Sequence, residues 1–277
     1  MSCSKSYLIK ADLHLHTTAS DGAYSPKDLI ELAAKKQIKY LAITDHDTLQ
    51  GLDEAAKTCQ ERGIVFFPGI EFSTVYSQHE IHILGYNLQL TNPNLISIVK
   101  KLQNSRWLRM EKMIAKLKSL GISIEKEELA KFSTNRNWGR LHLALVLQEK
   151  GIVNSTAEAF QKYLEPGAKA YVPRYRLCPF ETLKIIAKAG GKSVIAHPGL
   201  SKADHLIPLL AEKGLIGIEV YHPAHSENEC LKYRQLAQKH NLIITGGSDF
   251  HGHLAEDLKY LGEMPIPLST LSYLKSN

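Results

Sequence analysis

The alternation of short strand patterns with helical patterns is the feature that most constrains the fold of this chain. Runs rich in β-branched and aromatic residues are followed by amphipathic segments, an order typical of βα units and a largely parallel sheet. The predicted strands are Tyr7–Leu13, Tyr40–Thr44, Ile64–Phe67, Ile81–Tyr86, Ser193–Ala196, Ile216–Tyr221 and Leu242–Thr245. The sequence therefore predicts an α/β fold, namely a (β/α) barrel with one unit fewer than the common eight.

One stretch, residues 94–167, interrupts this alternation because it contains helical patterns only. The predicted helices there are Leu95–Leu120, Lys126–Lys131, Arg140–Lys150 and Ser155–Leu164. We interpret the stretch as an all-helical insertion between two barrel strands. The expected organisation is a discontinuous barrel domain, residues 1–93 and 168–277, with a helical cap domain at residues 94–167.

Composition places the chain among globular proteins and limits its partners. Of its 277 residues, 44% are hydrophobic and 22% charged, which is ordinary globular usage. No apolar run approaches the ~20 residues that a membrane helix needs, and no secretory pattern precedes the first predicted strand. The four cysteines, Cys3 among them, are scattered without a CxxC pair, which indicates a reduced, cytoplasmic protein. The net charge of +6 mildly favours anionic partners; neither a membrane nor a protein partner is expected.

Seven of the 13 histidines lie on or just after predicted strands, and five of these seven stand in short clusters with carboxylates. In a β/α barrel the carboxyl ends of the strands meet on one face, where active sites lie. Clusters that are far apart in sequence would therefore form one site. In strand order they are Asp12, His14, His16 and Asp21; Asp45, His46 and Asp47; Glu71; His82; His197; Glu219 and His222; Asp249 and His251.

These residue types indicate a metal site. Neutral imidazole and carboxylate together suit Zn, Mn and Fe. His14 and His16 are two apart on a strand, so they point to the same side and can reach one ion. Ions a few ångströms apart need a bridging carboxylate, for which Glu71 and Asp249 are the natural candidates. Such a cluster generates hydroxide from bound water and suits in-line displacement at phosphorus. With three divalent ions and three carboxylates its charge would be about +3, which favours an anionic substrate.

The strand-end motifs resemble those of the PHP (polymerase and histidinol phosphatase) superfamily of metal-dependent phosphoesterases. They span nearly the whole chain in the order of the family. The motifs are Asp12-Leu-His14-Leu-His16, Ile43-Thr44-Asp45-His46-Asp47, Gly69-Ile70-Glu71, His82-Ile-Leu-Gly85-Tyr86, Ile195-Ala196-His197-Pro198 and Gly247-Ser248-Asp249-Phe250-His251. The resemblance implies a distorted (β/α)7 barrel, the PHP fold, with three divalent ions. Mn²⁺ is the expected metal, and Fe²⁺ and Zn²⁺ are the alternatives.

The resemblance also implies which residues bind each ion. The family's third motif position is histidine in some branches and is Asp21 here, which we still expect to be a ligand. The three sets are His14, His16, Glu71 and Asp249 for the first ion; Glu71, His82 and His197 for the second; and Asp21, His46 and His251 for the third.

Within the superfamily the chain is similar to a branch of stand-alone bacterial enzymes. The similarity rests on the turn at residues 17–22, on the helical insertion and on residues 217–221 before His222. That branch includes 3′,5′-nucleotide bisphosphate phosphatases and 5′-to-3′ exonucleases that act on short RNA. The implied function is hydrolysis of a nucleotide phosphoester bond by metal-activated hydroxide. The expected substrate is a nucleotide or a short single-stranded RNA.

In this branch the insertion would act as a cap that supplies phosphate-binding arginines, because a guanidinium contacts phosphate in a bidentate manner. Arg106 and Arg109 lie three apart on one helix, and residues 139–142 read Gly-Arg-Leu-His where the family usually has Gly-Arg-Pro-His. The expected catalytic residues are His222, Asp249 and Arg140, with His222 or a metal-bound water protonating the leaving group. The expected substrate contacts are Asp21, His46, Arg106, Arg109, Arg140, His142 and His222.

Several residues also have a simpler structural interpretation. Charged residues on a long helix are usually solvated, which is the alternative for Arg106 and Arg109. Asp12, Asp45 and Glu219 could orient ligand imidazoles instead of binding metal. The remaining histidines match no ligand position and are expected to be structural or solvated; they are His79, His205, His225, His240 and His253.

Three rival functions stay open at the level of the sequence. A histidinol-phosphate phosphatase would not need a cap of nucleotide size. A metal-stabilised interaction module without activity would be expected to lack ligands, whereas every ligand position of the family is filled here. An amide-bond hydrolase on a similar metal barrel would have less use for cap arginines.

Overall fold

The computed structural model describes residues 10–77, 79–132 and 138–276. Within them, seven strands form one sheet and follow one another in chain order. The strands are β1 (Ala11–Asp12), β2 (Tyr40–Ile43), β3 (Val65–Tyr76), β4 (His79–Tyr86), β5 (Lys192–Ile195), β6 (Gly217–Tyr221) and β7 (Ile243–Gly246). Only the end of the strand predicted at Tyr7–Leu13 can be compared, because residues 1–9, which include Cys3, lie outside the described part.

The sheet curls until its first and last strands meet, so the barrel is nearly closed. The Leu13 amide donates to the Gly246 carbonyl at 3.4 Å, and the His16 amide donates to the Phe250 carbonyl at 3.0 Å. Leu15 and Phe250 form a parallel bridge just beyond β1 and β7. The predicted distorted (β/α)7 barrel is confirmed.

β4 departs from the parallel arrangement, because it runs antiparallel to both β3 and β5 while the other neighbours pair in parallel. The expectation that every site residue lies near the carboxyl end of a strand was therefore wrong for His82. This residue lies in the amino-terminal half of β4. Because the strand is reversed, that half lies on the face where the parallel strands end.

β3 also differs from its prediction, which ended the strand before Pro68 and Gly69. The strand continues to Tyr76 and forms a long antiparallel ladder with β4. Glu71 therefore lies within β3 and not after it. Gly69 marks a close approach of two strands, since a Cβ there would lie 2.9 Å from the carbonyl oxygen of Ile43.

Helices connect the strands and form the insertion. α1 begins where its sequence suggests, since the Ser25 hydroxyl accepts from the Asp28 amide and Pro26 occupies the first turn. The α-helices are α1 (Pro26–Lys35), α2 (Leu52–Arg62), α3 (Pro93–Ser119), α4 (Lys126–Ala130), α5 (Arg140–Glu149), α6 (Thr156–Ala159), α7 (Pro179–Lys188), α8 (Pro198–Ser201), α9 (Ile207–Glu212), α10 (Glu227–Lys239) and α11 (Leu268–Lys275). A π-helical turn, Phe160–Leu164, follows α6, and 3₁₀ turns cover Asp204–Leu206 and Ala255–Lys259.

The end of the barrel opposite the strand-end face is filled by apolar side chains. Leu13, Phe67 and Tyr86 pack there with Leu271 and Leu274 of α11. Helix α11 thus closes this end of the barrel and leaves the other end open for polar groups.

The helices of the insertion have an apolar cluster of their own, which includes Met113, Leu129 and Leu147. The long helix α3 joins both cores, because Leu95 and Leu102 near its start pack in the main barrel cluster. The division into barrel and cap domains at residues 94 and 167 stays a prediction. Among the described helices, none is long and apolar enough to cross a membrane.

Candidate metal centre and anion pocket

Glu71 lies at the centre of the strand-end face and is fully buried. Its Oε1 lies 2.7 Å from His82 Nδ1 and 3.0 Å from His197 Nε2. Its Oε2 lies 3.3 Å from Nε2 of both His14 and His16 and 3.0 Å from Nδ1 of His46. The two oxygens of one carboxylate therefore face two different groups of imidazoles, which is the arrangement that a bridging ligand requires.

Asp249 provides a second carboxylate beside the same histidines. Its Oδ1 lies 3.3 Å from His14 Nε2 and 3.0 Å from His16 Nε2. On the other side, Asp21 lies 3.8 Å from ring nitrogens of His16 and His46 and 3.5 Å from His251 Nε2. Carboxylates and imidazoles from the ends of separate strands thus converge on one small volume.

Within the described residues, three overlapping groups offer ligand atoms within 4.8 Å of one another. Their membership resembles the sets expected from the sequence, with His16 added to the set around Asp21 and with His46 beside Glu71 and His82. His197 belongs to none of the three groups but contacts Glu71 directly. The groups are His14, His16, Glu71 and Asp249; His46, Glu71 and His82; and His16, Asp21, His46 and His251. The assignment of individual ions to these residues stays a prediction.

The donor atoms fit a divalent metal. Nε2 of His14, Nε2 of His16 and Oε2 of Glu71 are buried and make no hydrogen bond to any described group, although oppositely charged atoms surround them. Nδ1 of His197 and Oδ1 of Asp21 are also buried and make no hydrogen bond to a described group. Buried polar atoms without hydrogen bonds are rare in proteins. Mixed nitrogen and oxygen ligands are those that Mn, Fe and Zn bind.

Carboxylates behind the cluster hold its geometry. Glu219 is fully buried; its Oε1 lies 2.9 Å from His14 Nδ1, and its Oε2 accepts from the His197 amide at 2.7 Å. Glu219 therefore fixes the ring of one candidate ligand and the backbone of another. Asp12 and Asp45 act differently, since no hydrogen bond joins either carboxylate to a ligand ring within the described residues. Asp12 binds the amides of Ser248 and Gly262, and burial raises its pKa to about 6.

His222 lies beside the cluster with a defined tautomer. Its Nδ1 accepts from the Ala224 amide at 3.1 Å, so the proton of the neutral ring resides on Nε2. Nε2 lies 3.4 Å from Oδ2 of Asp249. The ring is buried and presents its proton toward the carboxylate cluster.

Three residues of the strand-end clusters have positive φ angles, which side chains other than glycine rarely adopt. They are Asp47 (52°), His197 (26°) and Asp249 (51°). The cost of such a conformation is of order 1–3 kcal/mol per residue. The barrel therefore maintains strained backbone at the points where these side chains turn toward the site.

An arginine-rich cavity adjoins the histidine cluster. Asp21, His46 and His82 belong to both, so the two sites share a wall. The lining side chains are Asp21, His46, Ser73, Glu80, His82, Arg106, Arg109, Arg140, Leu141, Phe160 and Arg174, together with Gly139. We call this cavity the anion pocket.

Arg106 and Arg109 are buried, so the alternative of a solvated helix face was wrong for both. Arg106 Nη2 donates to Oδ2 of Asp47 at 2.7 Å, and Arg174 Nη1 donates to the same oxygen at 2.9 Å. Asp47 is itself fully buried; although burial raises its pKa, Arg174 and Arg106 bring that pKa far below its usual value.

Arg109 forms no ion pair with any acidic group of the described residues. Its Nε donates to the Val172 carbonyl at 2.9 Å, whereas its buried Nη2 makes no hydrogen bond to a described residue. Burial, followed by the positive charges of Arg140 and Arg174, lowers its pKa to about 8. Arg109 is thus a cation in the pocket wall whose charge no described acid balances.

Sequence reasoning missed Arg174, Arg176 and Glu80. Arg140 Nη2 donates to Oε2 of Glu80 at 3.2 Å, and Arg176 Nη2 lies 3.2 Å from Oε1 of the same residue. Arg174 and Arg176 are two apart in the irregular segment that leads into the bridge between Leu177 and Thr74. No strand covers this segment, so the alternation of side chains that pairs His14 with His16 does not apply to it.

The structure places His142 behind the pocket and not in its lining. The ring is fully buried, and its Nδ1 accepts from the Gly139 amide at 2.9 Å at the start of α5. Burial lowers its pKa to about 4. Of the histidines expected to be structural, His253 lies close to the site, with Nε2 2.7 Å from the Asp21 carbonyl.

Comparison with known proteins adds independent findings. Residues 12–174 match the sequence model of the PHP domain. The chain is 34% identical to the 3′,5′-nucleoside bisphosphate phosphatase of Chromobacterium violaceum over 262 residues, 92% of each protein. It is 34% identical to the 5′-3′ exoribonuclease Rnm of Escherichia coli over 252 residues, 88% of this chain and 86% of that protein. Among solved structures, a candidate metal-dependent phosphoesterase from Bifidobacterium adolescentis superposes with a TM-score of 0.87 and 28% identity, covering 95% of this chain and 94% of that chain.

Proposed function

Because this chain belongs to the PHP domain family, we propose that it is a metal-dependent phosphoesterase that hydrolyses a phosphoester bond of a nucleotide. One observation carries the proposal: Asp21, His46 and His82 belong both to the ligand groups and to the wall of the anion pocket. A substrate anchored by the arginines would therefore reach the ligand cluster without leaving the cavity.

We infer that the cluster holds three divalent ions, with Mn²⁺ as the expected metal. Glu71 would bridge two of them, because its oxygens face different imidazoles. Ions bound in such a site activate water for attack on phosphorus and neutralise the charge that develops on the phosphoryl oxygens. Glu219 keeps His14 and the backbone of His197 in position for this role.

The pocket arginines anchor a second phosphate of the same substrate. Arg109 offers a buried guanidinium nitrogen that makes no hydrogen bond within the described part of the chain, and Arg140 lies beside it at the amino end of α5. Guanidinium groups bind phosphate through paired donors. A nucleoside 3′,5′-bisphosphate and the 5′-phosphorylated end of a short RNA both present one phosphate to anchor and another to cleave, so one pocket serves both.

His222 is the proposed proton donor to the leaving oxygen. Its Nε2 carries the proton of the neutral ring and faces Asp249, a member of the ligand groups. Because a neutral ring that lost this proton would become an imidazolate, donation requires that Nδ1 first take up a second proton in place of its hydrogen bond from Ala224. The imidazolium would then give one proton to the departing 3′-oxygen and return to the neutral ring, which leaves a neutral hydroxyl on the product. Arg140, as a catalytic group, would stabilise negative charge on the substrate.

The experiment is phosphate release by purified, Mn²⁺-loaded protein. Adenosine 3′,5′-bisphosphate, a 5′-phosphorylated short RNA and histidinol phosphate are offered in parallel. We expect turnover of the first two, since histidinol phosphate has only one phosphate and cannot engage both the cluster and the arginines.

Asp249→Ala should abolish turnover, while Asp53→Ala, which removes an exposed acid from α2, serves as the matched control. Faster turnover of histidinol phosphate than of the two nucleotide substrates would identify the protein as a histidinol-phosphate phosphatase. Absence of turnover on every substrate, with metal shown to be bound, would contradict the nucleotide assignment and favour a binding module.

A further inference from the structure

Glu80 lies between the metal cluster and the arginines and contacts both. Its Oε2 accepts from Arg140 Nη2 at 3.2 Å, and its Oε1 lies 3.2 Å from Arg176 Nη2. The same Oε1 lies 3.5 Å from His82 Nε2. A single carboxylate thus adjoins a cap arginine, an arginine of the segment before α7, and a candidate metal ligand.

His82 needs a group of this kind. Its Nδ1 points at Glu71, 2.7 Å away, while its Nε2 is buried and makes no hydrogen bond to a described residue. An imidazole that binds metal through one nitrogen donates the proton of the other to a carboxylate, carbonyl or water. Glu80 is the carboxylate that faces this nitrogen at 3.5 Å.

Glu80 also reduces the positive charge of the anion pocket, and it differs in this from Asp47. Asp47 forms ion pairs with Arg106 and Arg174 and is fully buried. The Glu80 side chain is 37% exposed and lines the cavity itself. An anion bound by Arg140 would therefore lie close to a negative charge that belongs to the protein, and like charges at short range weaken binding.

We propose that Glu80 is a positioning residue with two opposing effects: it orients His82 for metal binding, and it weakens the hold of the arginines on phosphate. The proposal rests on the proposed function. It accounts for why a pocket with this many arginines carries an acid in its wall, since a phosphate-containing product must also leave.

The test is Glu80→Gln, which keeps the shape of the side chain and removes its charge. Metal affinity, measured as metal content by mass spectrometry after dialysis against graded Mn²⁺, should fall by about 10–100-fold for one ion. Sulfate affinity, measured by calorimetry on metal-saturated protein, should rise by roughly three- to tenfold. Neither readout depends on turnover, so failure here is distinguishable from failure of the proposed function, which the wild-type substrate assay tests.

The matched control is Glu149→Gln, which removes an exposed glutamate that pairs with Lys131 at 2.9 Å on α5. It should leave both affinities unchanged. Weaker metal together with tighter sulfate supports the proposal. A variant that weakens both, changes only one, or changes neither overturns it.

A second variant covers the case in which Glu80→Gln folds poorly. Arg176→Gln removes a partner of Glu80 and leaves His82 untouched. It should weaken sulfate binding and keep metal content at the wild-type level. An unchanged sulfate affinity, or a loss of metal, would contradict the assigned arrangement.

Discussion

At the scale of single residues, the site is organised by carboxylates with different tasks. Glu71 faces imidazoles with both oxygens, Glu219 fixes the ring of His14, and Asp47 binds two buried guanidinium groups. Removing one partner of a buried ion pair is costly, because the other charge is left buried without compensation. The consequences of substitution should therefore differ from one carboxylate to the next.

Asp47→Ala should lower the free energy of unfolding by about 3–5 kcal/mol, because Arg106 and Arg174 both lose their partner. Urea denaturation in the presence of a chelator measures this without a contribution from metal. Glu61→Ala, at an exposed position of α2, should stay within ~0.5 kcal/mol of wild type. Equal effects of the two substitutions would show that the buried ion pairs do not contribute to the free energy of unfolding.

His142 should make the protein sensitive to mild acid. Its folded-state pKa is about 4, below the unfolded value of about 6.5, so the unfolded chain takes up a proton that the folded protein excludes. The stability that the neutral ring contributes is complete above pH 6.5 and is lost as the pH falls toward 4, by up to about 3 kcal/mol.

The measurement compares unfolding free energies at several pH values between 7 and 4.5. In His142→Gln this loss should be smaller, because glutamine stays neutral. His205→Gln, at an exposed position, is the control and should keep the wild-type slope. An identical slope in all three proteins would disprove the role of His142.

At the scale of elements, strand direction decides which side chains meet. Five strands contribute at or after their carboxyl ends, and β3 contributes Glu71 from within the strand. β4 is reversed and contributes His82 and Glu80 near its amino end. The segments after β1 and β7 lie very close together at Gly247, where a Cβ would lie 2.3 Å from the Cβ of His14. That contact positions the first two histidines against the segment that bears Asp249.

Gly247→Ala should therefore separate β1 from the segment after β7, reduce metal content and destabilise the fold by about 1–3 kcal/mol. Metal analysis after dialysis and thermal unfolding measure the two effects. Gly85→Ala in β4 is the matched control, because its Cβ would meet only the movable side chains of Ile186 and Ile70 at 3.2–3.4 Å. If both variants retain metal equally, the close approach at Gly247 is not what positions His14.

At the scale of the whole molecule, the site lies between two apolar cores. α11 and the apolar barrel interior fill the end of the barrel opposite the site. The apolar cluster of the insertion supports the arginines of α3 and α5. Because α3 packs in both cores, the insertion is continuous with the barrel along one helix. Ligands that bind several strand ends at once should therefore stabilise the molecule as a unit.

Mn²⁺ at about 100 times its dissociation constant should stabilise the protein by about 2.7 kcal/mol per site, which raises the thermal midpoint by roughly 5–10 °C over chelated protein. Differential scanning calorimetry with chelator and with Mn²⁺ measures the shift. Asp249→Asn should reduce it, whereas Asp53→Asn should not. If the thermal midpoint of the wild-type protein is the same with Mn²⁺ and with chelator, the proposal that metal binds several strand ends at once is contradicted.

The fold class and the members of the histidine and carboxylate cluster could be predicted from the sequence alone. Both depend on local patterns, namely the alternation of strands and helices and the placement of His14, His16 and Asp249 near strand ends. Parallel strand ends meet on one face whatever the details of packing.

Only the tertiary structure decided the direction of β4, the double contact of Glu80 and the pairing of Arg106 and Arg174 with Asp47. Each of these joins segments that are distant in the chain through side-chain contacts in a buried space. Local residue patterns carry no information on which distant charge will balance a buried guanidinium, because packing of the whole chain selects that partner.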